Sequence, residues 1–177
     1  MKKLLVLLAV IMSLSSFAQK RSYVQFGPAS YLSTKGNSSF LGAGLGAGSS
    51  KGVAGAGIGI ELISQGKHII LPLYADMRCY FSQKKRSLYA TLQPGYQFRN
   101  TPANIVDHVN IKDKGGIYAA IGIGLFSFDK KSPGFNVQLK YVFMQDKVRK
   151  TVEGSPDGSF ISSTHGGYIG LSVALVL

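Results

Sequence analysis

The chain has 177 residues, with 20 lysines and arginines against 8 acidic residues and a formal net charge of +12. Its 45% hydrophobic content, with 9 Tyr and 10 Phe, excludes a disordered chain, and its 22 glycines lack the three-residue period of collagen. Charged residues make up only 16% of the chain, below the roughly 25% of an ordinary soluble domain. The length predicts one domain.

The first 18 residues have the pattern of a cleaved signal peptide. Lys2 and Lys3 precede an apolar run over residues 4–12, and small residues up to Ala18 follow it. The run is far shorter than the roughly 20 residues that a spanning helix needs. We therefore predict a signal peptide at 1–18 and one exported domain at 19–177. With Cys79 as its single cysteine, the exported chain can form no internal disulfide.

After the signal peptide, apolar residues alternate with small or polar residues at the period of a β-strand. The alternation is present in eight segments, in chain order 23–32, 40–48, 54–62, 71–81, 88–98, 117–125, 135–144 and 168–177. Seven turn-rich segments separate them, and the two longest are 100–115 and 150–158. About eight antiparallel strands is the smallest closed transmembrane barrel, so the pattern predicts an all-β, up-and-down barrel.

The two faces of the predicted strands differ in residue type. The less apolar face carries Gly, Ala, Ser, Gln and Tyr, which is typical of a narrow barrel interior filled by side chains. The other face carries Leu, Ile, Val and Phe, which is typical of contact with lipid. We expect interfacial aromatic residues near strand ends on this apolar face: Phe81, Phe98, Phe135, Tyr141 and Phe143. A soluble periplasmic barrel with the apolar face inward, holding an apolar ligand, is the alternative.

Five polar residues share the interior-facing positions of the predicted strands: Glu61, Asp76, Arg78, Gln93 and Lys140. An unpaired buried charge costs several kcal/mol, so we predict an ion-paired and hydrogen-bonded network that closes the barrel interior.

Two prolines interrupt the predicted strands. Pro72 and Pro94 each remove a donor from the hydrogen-bond ladder, which predicts a local bulge at each.

Residue patterns for cofactor chemistry are weak. The glycine-rich run 42–48 lacks a following helix and a Lys-Ser/Thr pair, so we predict no nucleotide site. The histidines, His68, His108 and His165, lack the close spacing of metal motifs, so we predict no metal and no cofactor.

A lipid-modifying enzyme is a second functional hypothesis. Ser163 and His165 share one face of the last strand, and Glu61 could orient the histidine as a base. Polar residues lining a rim are the simpler interpretation, so the leading expectation is a protein without catalytic residues.

Most of the basic residues lie in the predicted connections, such as 84–86 and 147–150. For an exported chain this favours attraction to anionic lipid head groups over nucleic-acid binding.

Three segments, 71–81, 92–96 and 170–177, are similar to small eight-stranded outer-membrane β-barrel proteins of Gram-negative bacteria, of the OmpA-transmembrane-domain and OmpX kind. The resemblance covers nearly the whole exported chain. It implies a location in the cell outer membrane, contact with outer-membrane lipid and lipopolysaccharide, and insertion by the barrel assembly machinery. An interior of this width is too narrow for a general pore, so we expect a structural, envelope-maintenance or surface-interaction role, with any surface partner at the outer loops 100–115 and 150–164.

Overall fold

A computed structural model describes residues 21–34, 38–51, 53–65, 68–82, 84–100, 105–106, 109–113, 115–129, 132–152 and 159–177. The predicted signal peptide lies outside these residues. Within them the strands are β1 (Arg21–Ser33), β2 (Ser39–Lys51), β3 (Ala54–Gln65), β4 (His68–Tyr80), β5 (Arg86–Asn100), β6 (Ile105–Val106), β7 (Val109–Asp113), β8 (Gly116–Asp129), β9 (Ser132–Val152) and β10 (Ser159–Val176). In this part of the chain no helix is long and apolar enough to cross a membrane.

Eight of these strands form a closed barrel. Their order is β10-β1-β2-β3-β4-β5-β8-β9, and pairing between β9 and β10 closes the ring. All pairings are antiparallel, and neighbours in the chain are neighbours in the ring. The predicted fold class, an up-and-down barrel of about eight strands, is confirmed.

A four-stranded sheet projects beyond the ring at one end. The last pair between β1 and β10 is Ser33 with Tyr168, and beyond it residues 159–167 pair with β9. On the other side of β9, residues 148–152 pair with β7, which also pairs with β6. We call these segments, 105–106, 109–113, 145–152 and 159–167, the raised sheet. We call the end of the barrel that carries this sheet the raised end. We call the opposite end, which has short connections and Leu177, the turn end.

The raised sheet corrects two sequence expectations. Segments 100–115 and 150–164 were expected to be loops, whereas strands occupy 105–106, 109–113, 150–152 and 159–164. Neither face of the raised sheet is uniformly apolar, so the alternation that marks a half-buried strand is absent there. For the same reason Tyr141 and Phe143 lie in the middle of β9, which continues to Val152, and not near its end.

The apolar face of the ring points outward. Leu41 is 73% exposed, Ile121 62% and Leu175 51%, whereas the alternate positions are buried or half-buried. The exposed apolar residues cover all eight ring strands and include Phe26, Leu45, Ile58, Leu73, Leu92, Ile123, Leu139 and Leu171. The alternative in which the apolar face points inward is therefore wrong.

The prolines interrupt the ladders without shifting their register. Pairing of β4 with β5 stops at Tyr74–Gly95 and resumes at Met77–Leu92 with no inserted residue. The β3–β4 ladder likewise skips the position of Pro72. The predicted bulges are therefore wrong, because a missing N–H removes pairs on one side of the strand without adding a residue. Among the described pairs, a register shift occurs only between Ser127 and Asp129, beside the β8–β9 turn.

Interior tyrosines lie opposite glycines. Tyr74 pairs with Gly59, and a Cβ on that glycine would lie 2.5 Å from the ring. Tyr89 and Gly124 are arranged in the same way. Similar pairs are Tyr23–Gly48 and Tyr31–Gly170. The missing side chain leaves room for a ring to lie over the neighbouring strand, which accounts for part of the glycine content.

We predict that Gly59→Ala lowers the free energy of unfolding by about 1–3 kcal/mol, because the Tyr74 ring must move to admit the methyl group. The measurement is the urea midpoint of the barrel folded in detergent. Gly46→Ala is the milder control, because its Cβ would come no closer than 3.2 Å to a neighbouring atom, the amide nitrogen of Gln25. Equal midpoints for the two variants would contradict the packing role of the tyrosine.

Candidate functional site

The barrel interior contains two clusters of buried polar side chains. The first is centred on Glu61, which is 5% exposed and accepts hydrogen bonds from Lys140 and from Tyr31. The hydroxyl of Tyr74 donates to the same carboxylate at 2.9 Å. Lys140, 1% exposed, also donates to the hydroxyl of Tyr118 at 3.3 Å. We call this the Glu61 cluster.

The Glu61 cluster links opposite walls of the barrel. Glu61 lies on β3 and Lys140 on β9, and these strands are separated by three others in either direction around the ring. The tyrosines come from β1, β4 and β8. One carboxylate therefore gathers side chains from across the interior, and its charge is balanced by the ion pair with Lys140.

The second cluster is centred on Arg78. Its guanidinium is 2.6 Å from the carboxylate of Asp76, which also accepts from Thr91 at 2.7 Å and Gln93 at 3.3 Å. The same guanidinium nitrogen, Nη2, also donates to Gln25 at 2.9 Å, and Nε donates to Asp76 at 2.8 Å. We call this the Arg78 cluster.

Aromatic rings enclose the guanidinium of the Arg78 cluster. The ring centroids of Tyr23 and Tyr89 are 4.7 and 4.8 Å from its central carbon, and that of Phe126 is 5.6 Å away. These distances are typical of cation–π contacts, which are stronger where water is excluded. The cluster therefore combines a neutral ion pair with three aromatic rings.

A small cavity lies between the two clusters. Its volume is about 20 Å³, and its lining includes Gln25, Glu61, Asn136 and Gln138. This is space for about one water molecule. The side-chain nitrogen of Gln138 is buried without a hydrogen-bond partner in the protein, so a water here could accept a hydrogen bond from it. The side chains at this level therefore leave little free space in the interior.

The structure brings the five predicted interior residues into two groups. Glu61 contacts Lys140, whereas Asp76, Arg78 and Gln93 lie together in the Arg78 cluster. Sequence reasoning missed the tyrosines that complete both groups and the amides of Gln25 and Asn136. Their interior-facing positions could have suggested them, but the strand register decides which side chains meet.

A third polar group lies toward the raised end. Asp146 pairs with Arg99 at 2.7 Å and accepts a hydrogen bond from Gln97 at 2.6 Å. The side chains of this ion pair are 17% and 18% exposed, so solvent reaches it more easily than the Glu61 cluster or the Arg78 cluster.

The residues of the enzyme hypothesis do not meet. Ser163 accepts a hydrogen bond from the amide of Gln145 at 3.0 Å, and the His165 ring stacks on Phe143 with centroids 6.2 Å apart. Both lie on the outer face, whereas Glu61 is inside the barrel. The expectation that Glu61 orients His165 is therefore wrong, and an amide cannot act as a base toward the serine.

The described residues do not form a recognisable cofactor or metal site. The glycine-rich run 42–48 lies within β2, and no three His, Cys, Asp or Glu side chains of the described chain come together to hold a metal. His108 lies outside the described residues.

Comparison with known proteins shows the fold. No protein-family model matches the sequence, and no curated protein matches it. The structure is similar to the outer membrane protein OprG from Pseudomonas aeruginosa, with 10% identity and a TM-score of 0.61 over 88% of this chain and 95% of that chain. It is also similar to Neisserial surface protein A, NspA, with 11% identity and a TM-score of 0.63 over 88% and 96%. The fold is therefore that of small outer-membrane β-barrels.

We predict that Asp76→Ala lowers the free energy of unfolding by about 3 kcal/mol, because Arg78 would remain buried without its counter-charge. The matched control is Asp146→Ala, which breaks a partly exposed pair and should cost at most about 1 kcal/mol. Urea unfolding in detergent measures both. An unchanged midpoint for the Asp76 variant would contradict the prediction.

We predict that Lys140→Met costs about 3–5 kcal/mol, since it leaves the Glu61 carboxylate buried and unpaired. Adding Glu61→Gln removes that charge and should recover part of the loss. A double-mutant cycle on urea midpoints measures the coupling. Strictly additive effects of the two substitutions would show that the ion pair does not couple β3 to β9.

Proposed function

We propose that this protein is an integral outer-membrane β-barrel with a structural or surface-interaction role, and that it is not a general pore. The observation that carries the proposal is the combination of an apolar exterior over all eight ring strands with an interior closed by ion pairs. A closed barrel is the β-structure that satisfies all of its backbone hydrogen bonds within lipid. A water-exposed barrel would instead present a polar exterior.

The neighbouring structures support the outer membrane as the location. One is an outer membrane protein and the other a surface protein by name, and both share the fold over most of their length. In that location the barrel would contact outer-membrane lipid and lipopolysaccharide, and the barrel assembly machinery would insert it.

The raised sheet supports a role at the cell surface. It extends the barrel wall on one side, and its polar residues include Ser162, Ser163 and Thr164. Longer outer connections and shorter periplasmic ones are typical of such barrels, which supports an orientation with the raised end outside the cell. A surface partner would then be able to contact this sheet.

The absence of catalysis is part of the proposal. Within the described chain the Ser163 hydroxyl contacts an amide and the Glu61 carboxylate is used in the interior ion pair. A lipid-modifying activity would need a base at the serine, and neither contact supplies one.

The first experiment compares boiled and unboiled samples of the outer-membrane fraction by semi-native electrophoresis. We expect a heat-dependent band shift, because closed barrels keep their fold in detergent until heated. In liposome-swelling assays with small sugars we expect no flux above that of empty vesicles, with a wide porin as the positive control. A protein in the soluble periplasm without a band shift, or clear sugar flux, would overturn the proposal.

A second experiment separates the two roles. In a strain lacking the gene, the wild-type chain is compared with a variant in which residues 101–114 are replaced by a short turn, and with a control altered at the turn-end connection 83–85. Envelope maintenance predicts that all three restore detergent resistance. A surface role predicts normal envelope resistance and a defect in surface attachment for the 101–114 variant alone. Full attachment with this variant would contradict a role for this part of the raised sheet.

A further inference from the structure

The outer face of β9 changes character along its length. Leu139, Tyr141 and Phe143 are 49%, 48% and 38% exposed, and they belong to the apolar exterior of the ring. Toward the raised end the same face continues with Lys147 and Arg149, both exposed. One strand thus carries an apolar segment and a cationic segment on a single face.

The two cations lack an ion-pair partner among the described residues. The nearest acid in the chain, Asp146, points to the opposite face and pairs with Arg99. On the β10 side Lys147 lies opposite Ser163 and Arg149 opposite Ile161, and on the β7 side Arg149 lies opposite Lys112, so these positions hold no acid. This face of the raised sheet therefore presents two positive charges that the described protein does not neutralise.

An apolar groove lies below the cations on the barrel exterior. Its volume is about 440 Å³. Small residues on β5 and β8 form its floor, and larger apolar residues form its sides. Its lining includes Ala90, Gly122, Ile121, Ile123, Leu139, Tyr141 and Ile169. Such a groove can accept a hydrocarbon chain.

The spacing of the groove and the cations matches one lipid leaflet. Lys147 is six residues beyond Tyr141 on β9, about 20 Å along the strand. At the roughly 40° tilt of barrel strands this is about 15 Å along the barrel axis. Half of a hydrocarbon core of about 30 Å has the same depth. The flexible stem of Lys147 lets its charge lie at the head-group level.

We propose that the outer face of β9 and its neighbours binds one phosphorylated lipid of the outer leaflet, with an acyl chain in the groove and phosphate at Lys147 and Arg149. The inference rests on the proposed function, because it requires the raised end to lie at the outer leaflet. Charge complementarity selects a phosphorylated lipid over a neutral one, and the groove selects a lipid over free phosphate.

The test titrates diphosphoryl lipid A into the full barrel folded in detergent and counts bound lipid by native mass spectrometry. We expect one preferred lipid per barrel. Lys147→Gln/Arg149→Gln should raise its Kd at least about tenfold. The matched control, Lys84→Gln/Lys85→Gln, removes the same charge at the turn end and should leave the Kd unchanged.

The groove is tested in the same lipid A binding assay. Ala90→Phe fills its floor and should weaken lipid A binding severalfold, whereas Leu88→Phe, on the same face outside the groove, should not. Inorganic phosphate at millimolar concentration should not compete. Equal losses in both charge variants, no loss with Ala90→Phe, or full competition by phosphate would each overturn the proposal.

The heat-dependent band shift distinguishes failure of the lipid-site proposal from failure of the barrel proposal. Every variant must show the wild-type shift, which establishes that its barrel is folded. A wild-type chain that shows the shift but holds no lipid A overturns the lipid site and leaves the proposed barrel intact. A wild-type chain without the shift overturns the barrel itself.

Discussion

Pairing between β9 and β10 closes the sheet, and the constraints on the other residues follow from that closure. A ring of eight strands encloses a space only wide enough for side chains, and every strand sends half of its residues into it. The inner face must therefore be matched in volume and charge across the whole ring. The outer face needs only to be apolar, since lipid adapts to its shape.

The polar side chains in the barrel interior make the two faces of each ring strand chemically different. A strand that is apolar on both faces would gain nearly as much from a register shifted by one residue. In this barrel such a shift would place Glu61 or Arg78 in lipid and move Leu62 or Met77 inside. The buried ion pairs therefore act together with the tyrosine–glycine contacts to select one register. While the chain is unfolded, the same alternation keeps each segment less apolar than a strand with two apolar faces would be.

The parts of the fold that the sequence predicted correctly are those set by the apolar exterior. Alternation identified eight ring strands, and residue type identified which face is inside. The cross-barrel contacts could not be predicted, because Glu61 and Lys140 are 79 positions apart and meet only in one ring order. The raised sheet was missed because neither of its faces is uniformly apolar. The prolines were misread because a lost donor was assumed to require an extra residue.

The first and last strands of the ring are neighbours, with Gln25 paired to Val176 and Leu177 exchanging two backbone hydrogen bonds with Val24. Contacts between such distant positions give the molecule a high contact order, so loop-closure entropy opposes its folding until late. No early fragment can form the ring, since β1 lacks one partner until β10 is available. The inner edge of β1 therefore stays without a partner until the last strand arrives, and pairing of β10 with β1 is the step that turns an open sheet into a barrel.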